Sequence, residues 1–368
     1  MTTSQLRARL SMPGPMRYAN PLIRSTLLRH LLFAVVAGAG LFALTGALGP
    51  FRNYQLATVA AYLCATAGLT VLTGLNGQLS LGHGALMATG AYTVALTQNA
   101  LADTGRVSGG YLLLSLALGV LVTVVAGTVI GAAAARLRGP YLAGVTLAVA
   151  VVVPALTTTF RGVFNSEQGL SVYLAPAPES LGLYFPYERW QAWIAIIGAL
   201  LTLLLLGNLI HSRFGRHLRA VRDDEVAARL AGIHVGRTQV LAFVVSAGCA
   251  GLGGGLLAVL AQSVSPGAFS LTLSLYLLMA IVIGGLGSLA GALWGALLLV
   301  ALPALTSTIT DLADPSAAVA QRLDGNLSLA IFGVTLIVVV IAAPGGVQGL
   351  LRRVGRFVGA RWRVPTGR

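Results

Sequence analysis

Two stretches of this chain gather side chains able to do chemistry. In the first, GLNGQLSLGHG (residues 74–84), the hydrogen-bonding groups of Asn76, Gln78, Ser80 and His83 stand among Gly74, Gly77, Gly82 and Gly84 inside an otherwise apolar region. A glycine-rich break of this kind frees backbone N–H and C=O groups, and a lipid-embedded segment tolerates that only against protein or a wet cavity. The second stretch, HSRFGRHLRAVRDDEVAARLAGIHVGR (residues 211–237), carries Asp223, Asp224, Glu225 and six arginines. Its chemistry is charge presented to water. Covalent catalysis finds little support, because the five His are scattered and no His-Glu-x-x-His pattern occurs. All 24 basic residues are Arg, so the lysine that an orthodox P-loop places on nucleotide phosphates is missing. Cys64 and Cys249 fall in apolar runs and read as packing residues.

The elements that must position these groups are membrane spans. Of 368 residues 56% are hydrophobic and 9% charged, and several apolar runs reach the ~20 residues that cross a hydrocarbon core. The fold class is therefore an all-α polytopic membrane protein. A transmembrane β-barrel would show ~10-residue alternating segments, and none are evident. About ten spans are expected, near 30–48, 55–73, 85–101, 111–135, 140–159, 191–210, 238–262, 272–285, 289–309 and 326–343. The connectors at 74–84 and 286–288 carry no charge, so eight spans with re-entrant segments fit equally. Most arginines fall on the side of the N-terminal segment, the 211–237 connector and the tail, whereas Asp103, Glu167, Glu179, Glu188, Asp311, Asp314 and Asp324 fall on the other. The positive-inside rule then puts both termini and the 211–237 loop in the cytoplasm. The net charge of +14 is explained by this topology, and no nucleic-acid partner is expected. The expected organisation is a basic cytoplasmic N-terminal segment (1–29), a transmembrane domain (30–346) and a basic cytoplasmic tail (347–368). Apolar residues of that tail, Leu351 to Trp362, alternate with arginine as in a helix lying on an anionic leaflet.

Within this frame the first break reads either as a turn ahead of a helix cap or as a broken helix lining a solute path, as in transporters with interrupted spans. A second interruption, IGGLGSLAGALWG (residues 283–295), places Gly285 and Gly287 in a comparable position in the other half. The four-residue spacing of Gly287, Gly291 and Gly295, and of Ala247, Gly251 and Gly255, makes smooth helix faces suited to packing, including packing on a second membrane subunit. The external connector 161–190, with Pro176, Pro178 and Pro186, reads as a solvated loop or as part of a docking surface. In the 211–237 loop, Asp223, Asp224 and Glu225 suit a helix N-terminus. Val226, Ala227, Leu230 and Ala231 form a short apolar face, Gly232 is placed as the helix stop, and Arg222 and Arg229 flank it. A helix this short is marginal unless something packs on it.

Four motifs in order, GLNGQLSLGHGALMATGAY (74–92), LRGPYLAGVTLAVA (137–150), GRHLRAVRDDEVAARLAGI (215–233) and IVIGGLGSLAGALWGA (281–296), resemble the membrane permeases of bacterial branched-chain amino acid ABC importers, above all the M-type of the Liv system. The resemblance covers about residues 56–346. It implies a multi-pass permease of the bacterial inner membrane that is not itself an enzyme. Implied partners are a homologous H-type permease, two cytoplasmic ABC ATPases that use ATP and magnesium, and a periplasmic or lipid-anchored binding protein; this chain binds no cofactor. It also implies an ATPase-coupling helix at Arg222, Asp223, Asp224, Glu225, Val226, Ala227, Ala228, Arg229 and Gly232, although the acid stands one position earlier than in the family's Glu-Ala-Ala-x-x-x-Gly pattern. The translocation path would include Asn76, Gln78, Ser80, His83, Gly285 and Gly287. Related importers carry urea, short amides or sugars, which leaves those solutes as alternatives. A secondary transporter or channel is the alternative from another class. Ion-coupled transporters usually bury an ionisable group in the bundle, and all ten acids here are expected in connectors.

Overall fold

The computed structural model describes residues 26–361 except 107, 138–139, 174–176, 179–180, 183–184, 314–329, 340 and 344. The basic residues before Thr26, Arg138, Glu179, the loop acids Asp314 and Asp324, and Trp362 therefore lie outside the described residues. So do Pro176 and Arg322.

The apolar runs fold as helices because lipid leaves backbone groups no other partner. They are α1 (Thr26–Ala47), α2 (Pro50–Leu69), α3 (His83–Asp103), α4 (Gly109–Ala134), α5 (Pro140–Thr159) and α6 (Tyr187–His211). Two short loop helices follow, α7 (Arg213–Asp223) and α8 (Glu225–Leu230). The remainder are α9 (Val235–Ala261), α10 (Leu271–Gly284), α11 (Leu289–Ala313), α12 (Ala330–Val339) and α13 (Gly346–Arg361). Among the described residues, seven helices are long and apolar enough to span a membrane: α1, α2 with its continuation to Leu75, α4, α5, α6, α9, and Pro266–Gly284. The expected ten segments all contain helix. The stretch 83–103 is not among the seven, and Leu289–Leu305 and Ala330–Val339 are shorter apolar helices. The described residues thus form an all-α membrane bundle with seven candidate spans.

The centre of the bundle is α9, crossed by α2, α3 and α4. Small residues permit this closeness. A methyl group on Gly253 would lie 2.7 Å from Ala61 O, and one on Gly254 would strike the Met87 carbonyl. The Ala247–Gly251–Gly255 stripe meets Gly127, Thr123 and Leu116 of α4, and Gly291 and Gly295 meet Gly284 and Ala280 of α10. Both stripes are therefore packing faces, as their spacing implies, and what they pack against is this chain's own helices. The outer helix α1 shows the opposite pattern, with Leu32, Phe33 and Val36 all more than 60% exposed, as suits a face toward hydrocarbon. At the end of the bundle remote from α7 and α8, part of the 161–190 connector forms β1 (Leu170–Ser171). It pairs antiparallel with β2 (Ser263–Val264), clipping that loop to the end of α9.

Candidate functional site

The first glycine break begins where α2 widens into a π-turn, Thr70–Leu75. Such turns spend the helix's regular hydrogen bonds and often mark functional positions. Asn76 N still reaches Val71 O at 3.2 Å and Gln78 N reaches Leu72 O at 3.2 Å, after which the chain runs unwound to α3. Neighbouring side chains replace the missing backbone partners. Thr146 Oγ1 of α5 accepts from Leu81 N at 3.0 Å, and Ser274 Oγ of α10 accepts from Gly84 N at 3.0 Å. Inside the break, Asn76 Nδ2 donates to Gln78 Oε1 at 2.7 Å, and Thr73 Oγ1 donates to Gln78 O at 3.0 Å. His83 Nε2 lies 3.1 Å from Ala65 O; a carbonyl only accepts, so Nε2 carries the proton.

Asn76, Gln78, Ser80 and His83 are all buried, and among the described residues Asn76 Oδ1, Ser80 Oγ and His83 Nδ1 find no hydrogen-bond partner. These four side chains are thus enclosed within the chain. The large apolar side chains exposed at the breaks include Leu79 and Leu286.

The second break joins α10 to α11 through Gly285 (φ +120°) and Gly287 (φ +77°). It abuts the first directly. A methyl group on Gly74 would strike Gly287 N and lie 2.8 Å from Gly287 Cα. Gly346 at the start of α13 presses on Gly285 from another side, where its added methyl would lie 2.6 Å from Gly285 Cα. The first turn of the basic tail, expected to lie on the leaflet, is tied to the second break, with Trp294 Nε1 donating to Gln348 Oε1 at 3.3 Å.

The charged loop attaches to the same point. Ser212 caps α7, accepting from Phe214 N and Gly215 N, and Gly215, Leu218 and Val221 form the buried face of an otherwise basic helix. At its end Arg222 Nη1 donates to Gly74 O at 2.8 Å, while the Nε and Nη2 groups of Arg222 hold Asp223 Oδ1 at 3.0 and 2.9 Å. One guanidinium thus links the loop to the contact between the breaks.

The expected single helix from Asp223 to Gly232 is divided. Asp223 closes α7, and Asp224 turns extended (φ −159°, ψ 111°) so that its Oδ1 accepts from Val226 N at 2.8 Å and Ala227 N at 3.0 Å. An aspartate that caps a helix cannot also lie within one, so α8 is six residues long. Gly232 stands at φ +81° as the stop, with Ile233 N bonded to Ala228 O and Gly232 N to Arg229 O, both at 3.0 Å. This paired pattern satisfies the last carbonyls. Ala228 packs on Val221 and Val235, fixing α8 against α7 and α9. Glu225 accepts from Gln239 Nε2 at 3.0 Å and sits 3.7 Å from Arg229 Nη2, so its shifted position serves to fasten α8 to α9. Val226 is 67% and Leu230 87% exposed, and Ala227 and Ala231 are exposed beside them.

Sequence reasoning found both breaks and the Gly232 stop, and placed the three acids at a helix N-terminus without singling out the one that caps. It missed Ser274, Gln239 and the role of Thr146, whose only signal is a polar residue within or beside an apolar helix.

Interrupted helices that meet at a glycine contact, in an apolar helical bundle, fit the class of membrane transport proteins. Residues 52–340 match the family described as branched-chain amino acid transport system / permease component, and the chain belongs to that family. Among its relatives is the high-affinity branched-chain amino acid transport system permease protein LivM of Salmonella typhimurium, 32% identical over 65% of this chain and 60% of the relative. The probable branched-chain amino acid transport permease protein LivM of Methanocaldococcus jannaschii is 24% identical over 73% of this chain and 77% of its own length. The LivH permease protein of Escherichia coli, from a high-affinity branched-chain amino acid transport system, is 26% identical over 67% and 82%. The chain thus spans less than two thirds of the length of the Salmonella relative. No solved structure matches.

Proposed function

We propose that this chain is the membrane-spanning permease subunit of an ABC importer for branched-chain amino acids, with α8 as the element through which a separate ATPase acts. The reading rests on one observation above all. The exposed face of α8 is connected through α7 and Arg222 to Gly74, and Gly74 bears on Gly287, so a push on α8 reaches both interrupted spans through backbone contacts.

In this scheme α8, both termini and the arginine-rich connectors face the cytoplasm of a bacterial inner membrane. The chain pairs with a homologous H-type permease, two ATPases supply the energy of ATP and magnesium, and a periplasmic or lipid-anchored protein delivers the solute. The two breaks bound a route between the paired permeases, with Leu79 and Leu286 exposed beside it. The enclosed groups of Asn76, Gln78, Ser80 and His83, and the permissive backbone at Gly285 and Gly287, let the spans repack as the route opens and closes. A secondary transporter is disfavoured, because the described acids sit in loops or at helix ends. The relatives' names give the substrate class: leucine, isoleucine and valine.

The test is a charge on the bare face. Val226→Asp with Leu230→Asp, made in the assembled importer, is expected to weaken ATPase attachment at least about tenfold, since exposed apolar anchors of this kind carry ~1–2 kcal/mol or more each. Retained ATPase copurification and uptake in this variant would remove α8 from the coupling role.

A further inference from the structure

The last described helix, α13, is fastened to the bundle at its first turn. Gly346 presses on Gly285 Cα, and Gln348 Oε1 accepts from Trp294 Nε1 at 3.3 Å. Gly285 follows α10, so α13 starts where the candidate span Pro266–Gly284 stops. The charged loop marks the same end of the bundle, because Arg222 reaches Gly74 O and Gly74 bears on Gly287.

Beyond its first turn the helix is amphipathic. Leu350 and Leu351 are both exposed. In the sequence Val354, Phe357 and Val358 continue their face at helical spacing, whereas Arg352, Arg353 and Arg356 stand at the opposite positions. From residue 325 to Arg368 the chain holds six arginines and no acid.

A helix that starts at the edge of a span has three directions open to it. A return through hydrocarbon would bury three arginines, which is costly. A course into water leaves a 16-residue helix held at one end with its apolar face bare, and such a helix is marginal unless that face is covered. The headgroup plane suits both faces: the apolar one enters the acyl boundary, and the arginines meet anionic phosphate. Trp294, exposed beside Gln348, fits this level, since tryptophan collects where membrane meets water.

We propose that α13 docks in the plane of an anionic leaflet, with its arginines on phospholipid headgroups, and that this docking holds Gly346 against Gly285. The charge of the leaflet thereby acts on the second break. The lipid contact is separate from the ATPase contact of α8, and its test needs no ATP.

The experiment uses the full chain with its partner permease, in vesicles of phosphatidylcholine alone or of phosphatidylcholine mixed with phosphatidylglycerol. Cys64→Ala and Cys249→Ala clear the native thiols, and spin labels are attached at Leu351→Cys on α13 and Leu293→Cys on α11. Access of oxygen and of an aqueous nickel chelate to the label at 351 reads its depth, and the distance between the two labels reads the seating of α13. With phosphatidylglycerol present, the label at 351 should favour oxygen and the distance distribution should be narrow. In phosphatidylcholine alone, or with Arg352→Gln, Arg353→Gln and Arg356→Gln together, the leaflet equilibrium should weaken about 100-fold, as three arginines at an anionic surface imply. The label then turns to the chelate and the distribution broadens. Arg352→Lys, Arg353→Lys and Arg356→Lys together keep the charge and should keep the docking. A label that stays in water beside phosphatidylglycerol, or that is equally deep whatever the lipid charge and the arginines, overturns the proposal. So does a distance distribution that is the same in both lipids. Protection of the label only when the ATPases are added overturns it as well, because the face would then belong to a protein partner.

Discussion

Replacing Gly74 by alanine adds one methyl group where the structure leaves no room. The new Cβ would strike Gly287 N and lie 2.8 Å from Gly287 Cα and 3.4 Å from Leu286 C, all of them backbone atoms that no rotamer change can move. An ordinary carbon contact starts near 3.5 Å. The two breaks must therefore separate by several tenths of an ångström or more, and overpacking of this kind costs about 1–3 kcal/mol. If the contact exists only in one state of the transport cycle, that cost is a population shift of about 5- to 150-fold away from that state. The assay measures ATP hydrolysis and leucine uptake together in reconstituted vesicles holding the full importer. Gly74→Ala should reduce leucine carried per ATP hydrolysed at least about fivefold, with the complex still assembled. Gly236→Ala is the control. Its added methyl meets nothing within 4 Å at the exposed start of α9, so coupling should be unchanged. If Gly74→Ala transports with unchanged coupling, the meeting of the two breaks is not a working part and the reasoning fails.

Arg222→Ala removes the bond to Gly74 O while leaving α7 and α8 folded. Because the side chain is 41% exposed the loss of stability should be no more than about 1 kcal/mol, so ATPase attachment should survive while uptake per ATP falls. Arg222→Lys should rescue only partly, since one ammonium cannot hold Gly74 O and Asp223 in the same geometry. Asp224→Ala deletes the cap of α8 at a cost of about 1 kcal/mol, read as weakened ATPase copurification, and Asp224→Ser should restore most of it. Gly232→Ala forces a β-carbon into a left-handed conformation at a cost of about 1–2 kcal/mol and should loosen α8 in the same assay, although space around the residue is open.

Much of this site is legible in the sequence because its signals are local. Gly232 after Ala231 announces the end of α8, and the glycines of 74–84 announce a break in the apolar run. The division of the loop helix at Asp224 was harder to read, because three consecutive acids all suit a helix N-terminus and only the backbone decides which one caps. Long-range apposition left no trace. Gly74 meets Gly287 and Arg222 across much of the chain, and nothing in a glycine tells which backbone it will approach. The four-residue glycine stripes illustrate the same limit, since spacing predicts a smooth face but not whether α4, α10 or another subunit covers it. The number of spans is obscured because α3 mixes threonine, glutamine and asparagine into its apolar residues, and its first turn completes the polar break.

The most direct measurement is solute uptake by the complete importer, this chain with its partner permease, ATPases and binding protein, in vesicles loaded with ATP and magnesium. Uptake of radiolabelled leucine is expected only with hydrolysable ATP, blocked by excess isoleucine or valine but not by urea or ribose, and lost in the Val226→Asp, Leu230→Asp variant. Leucine accumulation without ATP hydrolysis, or ATP-driven uptake of urea or ribose in place of leucine, would contradict the account.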